Sequence, residues 1–145
     1  MTIIQANLTH LDQVATLFNQ YRIFYRQTPN LEGATQFIKD RLTKQDSIIL
    51  IAFAEKKPVG FTQLFHSFSS VSMQPLFILN DLFVNENYRK QGYGVTLLNE
   101  AKAVCKKHNY KGLAIQTERT NPAQKLYESL GWKQDQDLQY FWTNQ

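Results

Sequence analysis

The fold of this chain is decided by residues 80–98, which read NDLFVNENYRKQGYGVTLL. An apolar stretch ends at Val84, a polar turn follows, and the pattern Arg-x-x-Gly-x-Gly, from Arg89 to Gly94, opens an amphipathic segment. Glycine lets the backbone approach a bound group closely and adopt dihedral angles that other residues avoid. The free N–H groups of a first helical turn, together with the positive end of the helix dipole, bind anions. A strand, a glycine turn and a helix in this order therefore predict a phosphate site.

Two other glycine-rich phosphate loops do not fit this stretch. The P-loop requires Gly-Lys-Ser/Thr, whereas Val95 and Thr96 follow Gly94. The dinucleotide fingerprint requires a third glycine near the start of a βαβ unit, and this motif comes after several predicted strands. Gly-x-Gly by itself is also compatible with a helix that merely starts after a glycine turn, so the surrounding pattern has to decide.

A second motif, further along the chain, supplies that context. Residues 121–132 read NPAQKLYESLGW. Together with Leu-x-Val before the first turn, the two motifs resemble the central and C-terminal signatures of the GNAT superfamily of N-acetyltransferases, in the right order and over essentially the full length. One position departs from the pattern: counting back from Tyr127, the family asparagine position holds Thr120, and Asn121 is one residue late. Which of the two fills that role is left open.

Composition sets the bounds on class and location. With 145 residues, 43% hydrophobic and 19% charged, the sequence predicts a single globular domain over residues 1–145. The net charge of +4 suits an acidic cofactor, but the basic residues form no tract typical of nucleic-acid binding. One cysteine and three dispersed histidines argue against a disulfide or a metal site. No signal-like start or membrane-length apolar run is present, so we expect a cytoplasmic protein away from membranes.

Hydrophobic periodicity predicts an α/β (α+β) chain with the order β-α-α-β-β-β-α-β-α-β-β, similar to the GNAT fold and its mixed central sheet splayed at the cofactor site. The predicted strands lie at 2–6, 47–54, 59–66, 73–84, 113–117, 132–134 and 138–143, and the helices at 9–27, 32–43, 92–107 and 122–130. The fourth strand must bend at Pro75 or carry a bulge further on. Strand alternation places Asp81 on the face opposite Asn80 and Leu82.

The resemblance implies direct transfer of an acetyl group from acetyl-CoA to an amine within a ternary complex. Main-chain groups of Phe83 and Val84 would bind the pantetheine arm, and Asn121 and Ala123 would also contact the cofactor. The pyrophosphate would be surrounded by Arg89, Lys90, Gln91, Gly92, Tyr93, Gly94, Val95 and Thr96. Tyr127 falls on the family tyrosine that protonates the leaving thiolate, although a tyrosine on a short helix is more often only an aromatic anchor.

The acceptor side is less determined. Asp81 and Glu118 are the best-placed carboxylates to act as the base for the attacking amine, and a water chain is the alternative to a side-chain base. For Asp81, a structural carboxylate that accepts hydrogen bonds in the splayed region is an equally good interpretation. Phe24, Tyr25 and Glu118 are predicted to line the acceptor site. Arginines at 22 and 26 favour an acceptor with a carboxylate, such as an amino acid, whereas the two carboxylates favour a polyamine or an aminoglycoside.

Two further expectations concern the whole protein. The first is an enzyme that acetylates a small primary amine, with an acyl-CoA-binding sensor lacking useful turnover as the alternative on the same scaffold. Tyr127 favours the enzyme, because a pure binder needs no proton donor for a thiolate. The second, which rests on resemblance alone, is a homodimer that pairs through the apolar segment 138–142.

Overall fold

The computed structural model describes residues 1–144. Its five strands are Thr2–Gln5 (β1), Ser47–Ala54 (β2), Lys57–Ser69 (β3), Gln74–Val84 (β4) and Leu113–Ile115 (β5). Its α-helices are Leu11–Phe24 (α1), Leu31–Lys44 (α2), Tyr93–Lys107 (α3) and Ala123–Ser129 (α4). The strands form one sheet in the order β1-β2-β3-β4-β5, antiparallel except for the parallel pair β4–β5. Within the described residues, no helix is both long and apolar enough to cross a membrane.

The sheet is covered on both faces, as the continuous apolar run of β2 predicts. Ile48 and Leu50 of β2 pack on one face with residues of α3, such as Leu97. Ile49 and Ile51 pack on the other face with the helices α1 and α2. The predicted cofactor motif at the start of α3 and the predicted acceptor wall on α1 therefore lie on opposite faces of the same sheet.

A β-bulge interrupts the pairing of β3 with β4, which confirms that the long strand cannot run regularly. Gln63 of β3 lies opposite Asp81, whereas the next residue, Leu64, lies opposite Leu79, so Asn80 is the extra residue. A bulge brings successive side chains towards the same side of a strand. The expectation that Asn80 and Asp81 face opposite sides is therefore wrong, and both side chains line one cavity.

The sheet is splayed at the end of β4, as predicted. The ladder between β4 and β5 runs from Phe77–Leu113 to Leu79–Ile115 and ends there. β4 continues to Val84, so its last five residues extend beyond the point where β5 stops. The gap opens at the bulge, next to the turn that leads into α3.

The two C-terminal strands expected at 132–134 and 138–143 do not form within the described residues, where β5 is the last strand. β5 has only three residues, so it offers a short edge for further pairing. The side chains of Leu138, Tyr140, Phe141 and Trp142 are each at least 74% exposed, so no packing energy fixes this segment. The predicted order is correct as far as α4.

Candidate active site

The start of α3 has the features of an anion site. Lys90 and Gly92 both adopt left-handed backbone conformations, with φ of 61° and 90°, which turn the chain sharply into the helix. No side chain caps the N-terminus of α3, and its first turn contains no acidic residue. The N–H groups of that turn and the positive end of the helix dipole are therefore uncompensated by the protein.

The motif leaves room for a ligand next to its glycines. A Cβ atom placed on Gly94 would have Leu126 Cδ2 as its nearest neighbour, at 3.9 Å, and one placed on Gly92 would meet nothing within 4 Å. Thr96 Oγ1 donates to the Gly92 carbonyl oxygen over 2.9 Å and reinforces the first turn. Gln91 Nε2 donates to the Asn87 carbonyl oxygen over 3.2 Å and holds the preceding turn. These contacts shape the loop and leave its backbone N–H groups available, as a phosphate cradle requires.

The open edge of β4 presents main-chain groups of Val84 and Leu82. Asn85 N donates to the Val59 carbonyl oxygen over 2.8 Å, so this pair is hydrogen-bonded across the two strands. Hydrogen-bonded and non-hydrogen-bonded pairs alternate along an antiparallel ladder. The main-chain N–H and C=O groups of Phe83 are therefore bonded to β3, whereas those of Leu82 and Val84 point away from β3, towards the open edge. The prediction for Val84 fits this geometry. The prediction that main-chain groups of Phe83 bind the cofactor does not, because those groups face Phe61 of β3.

Arg89 connects the predicted cofactor and acceptor residues. Its Nε donates to the Val84 carbonyl oxygen over 2.9 Å. Its guanidinium carbon lies 4.9 Å from the centroid of the Phe24 ring and 5.7 Å from that of Phe83. Arg89 therefore covers a main-chain acceptor on the open edge of β4, and a ligand that bonds to this carbonyl has to displace it.

The second motif builds the other wall of the gap. Asn121 Oδ1 accepts a hydrogen bond over 2.9 Å from the N–H of Ala123, the first residue of α4, which leaves the Asn121 amide nitrogen as the group that would meet a ligand. Tyr127 lies one turn further on, half-buried, with its ring 6.2 Å from that of Trp132. Burial, and then the nearby Tyr25, raise the pKa of the Tyr127 phenol. It therefore stays protonated at neutral pH, the state in which a phenol donates a proton.

Asp81 is the centre of a buried polar network. Its side chain is 2% exposed, and its Oδ2 and Oδ1 accept hydrogen bonds from Gln63 Nε2 over 2.5 Å and from Asn80 Nδ2 over 2.7 Å. The Tyr21 hydroxyl lies near this carboxylate and donates to the Asn80 carbonyl oxygen over 3.5 Å. Gln63 in turn accepts from Ser47 Oγ over 2.9 Å. Burial raises the pKa of Asp81, and the hydrogen bonds offset this only in part.

Tyrosine side chains link Asp81 to the gap. The rings of Tyr21 and Tyr25 lie 5.0 Å apart, and burial followed by Asp81 raises the pKa of Tyr21. Burial and then Glu118 raise the pKa of Tyr25. Glu118 itself is exposed and forms an ion pair of 2.9 Å with Arg26, which joins the loop after α1 to the loop after β5.

Two of the predicted residues meet in the structure, since the Arg89 guanidinium lies over the Phe24 ring, and the Gly94 position faces Leu126 of α4. The structure also adds partners that the sequence did not indicate. Gln63 is a buried amide in an apolar strand, and only its cross-strand position identifies it as a partner of Asp81. Tyr21 has the helical spacing of the core residues on α1, so the sequence predicts a core position for it and does not predict its polar contact. Within residues 1–144, no cluster of three or more metal-ligating side chains forms.

Comparison with known proteins identifies the class. The family model described as "Acetyltransferase (GNAT) family" matches residues 11–132. The chain is 45% identical over 145 residues to an uncharacterized N-acetyltransferase, YhfO, of Bacillus subtilis strain 168, an alignment that covers 99% of this chain and 97% of the relative. The chain therefore belongs to the GNAT acetyltransferase family and is an acyltransferase enzyme.

Solved structures agree with this assignment. A crystal structure of a probable acetyltransferase matches with a TM-score of 0.91 and 37% identity, covering 99% of this chain and 97% of that one. An aminoglycoside acetyltransferase from a soil metagenome, crystallised with trehalose, matches with a TM-score of 0.81 at 20% identity, covering 99% and 96% of the two chains. At that identity the second likeness concerns the fold alone.

Proposed function

We propose that this protein is an acetyl-CoA-dependent N-acetyltransferase that passes the acetyl group directly to the primary amine of a small molecule. The observation that carries the proposal is that an open strand edge and an uncapped helix N-terminus occur together. The gap beyond the β4–β5 ladder exposes main-chain groups of Leu82 and Val84, and the uncapped N-terminus of α3 follows shortly after it in the chain. A pantetheine arm carries amides that hydrogen-bond to a strand edge, and a pyrophosphate carries the charge that a helix N-terminus binds.

The residues present fit acetyl-CoA, which supplies a thioester whose carbonyl carbon is open to attack by an amine. Val84 N–H lies at the open edge, where it would stabilise negative charge on the thioester oxygen. The first turn of α3 would hold the pyrophosphate, with Arg89 moving from the Val84 carbonyl to the phosphates. Asn121 Nδ2 would face the cofactor from the start of α4.

Proton transfer is assigned to Asp81 and Tyr127. The acceptor enters as an ammonium ion, and Asp81 takes its first proton, directly or through one water. The amine nitrogen then bonds to the thioester carbonyl carbon while the carbon–sulfur bond breaks. Tyr127 gives its phenolic proton to the departing sulfur, and the second nitrogen proton restores the phenol. The products are the N-acetylated amine, the free thiol and one proton, which Asp81 releases to solvent.

The test is a thiol-release assay with acetyl-CoA and a panel of amino acids, polyamines, aminoglycosides and short peptides. Release that depends on one class of amine, with an N-acetylated product, supports the proposal. Binding of acetyl-CoA without release for any amine would indicate a binding protein instead. Absence of acetyl-CoA binding would contradict the proposal entirely.

A further inference from the structure

A cavity of about 180 Å³ lies between α1, α2 and the bulged pair β3–β4. Its walls include four aromatic side chains: Phe18, Tyr21, Phe37 and Phe65. Asp81 lines it at the bulge, two residues beyond the end of the β4–β5 ladder, so the cavity reaches the point where the gap begins. An apolar protein cavity of about 150 Å³ holds one benzene-sized ring, so this one has room for a small organic body.

The charged groups that line the cavity have no ionic partner. Within residues 1–144, ion pairs join Arg26 to Glu118 and Arg41 to Asp46, and neither pair includes Asp81 or Arg22. The Asp81 carboxylate is held by neutral amides and lies near the Tyr21 phenol. Arg22, half-buried at the cavity, donates from Nη1 to the Thr28 carbonyl oxygen over 3.2 Å.

The lining therefore places one buried carboxyl group and one positive charge among aromatic surfaces. An ionised carboxylate removed from water is stabilised by a cation beside it, and an arginine fork binds a carboxylate in bidentate fashion. A polyamine or an aminoglycoside would bring several positive charges to Arg22, which repels them. Glu118, the other candidate anion, is already occupied by Arg26.

We propose that the acceptor is an amino acid with a compact apolar side chain, held with its ammonium group at Asp81, its carboxylate at Arg22 and its side chain between the aromatic walls. This inference rests on the proposed function and specifies its substrate. Such an acceptor has one charged group for each of the two ionisable cavity groups, an ammonium for Asp81 and a carboxylate for Arg22. Its amine lies beside the bulge, at the entrance to the gap that would hold the thioester.

The test compares amino acids with amines that lack only the carboxylate. Leucine is paired with isoamylamine and phenylalanine with phenethylamine, and spermidine and kanamycin represent polycations. We expect a higher kcat/KM for each amino acid than for its partner amine. In the variant Arg22→Gln, the KM for the amino acid should rise about tenfold or more, the scale of one charge-assisted hydrogen bond, with the KM for the amine unchanged. Lys39→Gln removes an exposed positive charge from α2 and is the matched control.

A binding measurement separates this inference from the proposed function. Leucine is titrated calorimetrically into protein saturated with coenzyme A, which cannot turn over, and we expect heat of binding that Asp81→Asn abolishes. Transfer to spermidine or kanamycin in preference to amino acids would overturn the inference and leave N-acetylation intact. An equal effect of Arg22→Gln on leucine and isoamylamine would also overturn it. Failure of every amine to react, with no binding of leucine, would overturn both.

Discussion

At the scale of single residues, the site combines two acids, the half-buried Tyr127 and the buried Asp81, whose pKa values are both raised. Burial keeps Tyr127 protonated, which suits a proton donor, and it makes Asp81 a stronger base than an exposed aspartate. A base is more effective when its pKa lies closer to the working pH. The two groups lie on different elements, one on α4 and one on β4, and the proposed mechanism places the acceptor and the thioester between them.

Replacing Tyr127 with phenylalanine tests the proton donor. The change removes only the hydroxyl, so we expect the fold and the KM for acetyl-CoA to be retained while kcat falls about 100-fold, the lower end for a lost general acid. Steady-state kinetics and a thermal melt measure the two effects. Tyr140→Phe, at an exposed residue, is the matched control. An unchanged kcat would remove Tyr127 from the mechanism.

The raised pKa of Asp81 predicts how stability depends on pH. Because the folded state holds this proton more tightly than the unfolded state, the contribution is fully present below the ordinary aspartate pKa of about 3.9 and is lost as the pH rises through the raised value. Asp81→Asn has no such dependence. We therefore expect the free energy of unfolding of the parent, relative to Asp81→Asn, to fall from about pH 4 upward, with a slope of at most roughly 1.4 kcal/mol for each pH unit.

Urea unfolding of both proteins over a pH series measures this difference. Asp135→Asn, which removes an exposed carboxylate near the C-terminus, shows what the loss of charge alone does. A difference between parent and Asp81→Asn that stays constant with pH would show that the Asp81 pKa is not raised by folding.

A motif or a strand end marks individual residues in the sequence, as at Tyr127 on α4 and Asp81 on β4, and their roles stay predictions. The prediction failed at Phe83, because which main-chain groups face the gap depends on the pairing phase of β3 with β4. It also failed at Asn80, because one inserted residue reverses the strand alternation. Both depend on the register between strands, which the local sequence does not encode.

At the scale of elements, the two glycines of the motif have separable roles. Gly92 has a φ of 90°, so Gly92→Ala should cost roughly 1–2 kcal/mol of stability. Gly94 lies inside α3 with ordinary space for a Cβ, so Gly94→Ala should leave stability unchanged or raise it by up to about 1 kcal/mol. If the pyrophosphate binds here as proposed, the added methyl group would nevertheless occupy its cradle and raise the KM for acetyl-CoA roughly tenfold.

Thermal melts and acetyl-CoA kinetics on the two variants make this comparison. Gly94→Ala with unchanged stability and an unchanged KM would contradict the placement of the pyrophosphate at the start of α3. We expect Arg89→Ala to weaken acetyl-CoA binding less than Gly94→Ala does, because Arg89 must first give up its contact with the Val84 carbonyl.

The elements up to α4 could be predicted because each has a clear hydrophobic period and a turn or cap at its ends. The near-continuous apolar run of β2 and the glycine at the start of α3 are the strongest of these signals. The C-terminal strands could not be predicted in the same way. Apolar residues at 138–142 are compatible with a strand, but a strand also requires a partner, and β5 provides only three residues.

At the scale of the whole molecule, the exposed segment 138–142 bears on the predicted homodimer, which stays a prediction. Tyr140, Phe141 and Trp142 are each at least 80% exposed, and the homodimer predicted from the sequence would cover them. Sedimentation equilibrium should then give twice the chain mass for the parent, and the variant Trp142→Ser should dissociate at higher concentration. A parent that sediments as a single chain at all concentrations would contradict the prediction.

The central claim is that this chain moves an acetyl group from acetyl-CoA to an amine without a covalent enzyme intermediate. The most direct measurement supplies acetyl-CoA labelled in its acetyl group, together with the best amine of the panel, and follows the label by mass spectrometry of the small molecules and of the intact protein. We predict that label appears in the N-acetylated amine in step with thiol release, and that the protein stays unlabelled. Label found in free acetate regardless of the amine, or on the protein before amine is added, would contradict the claim.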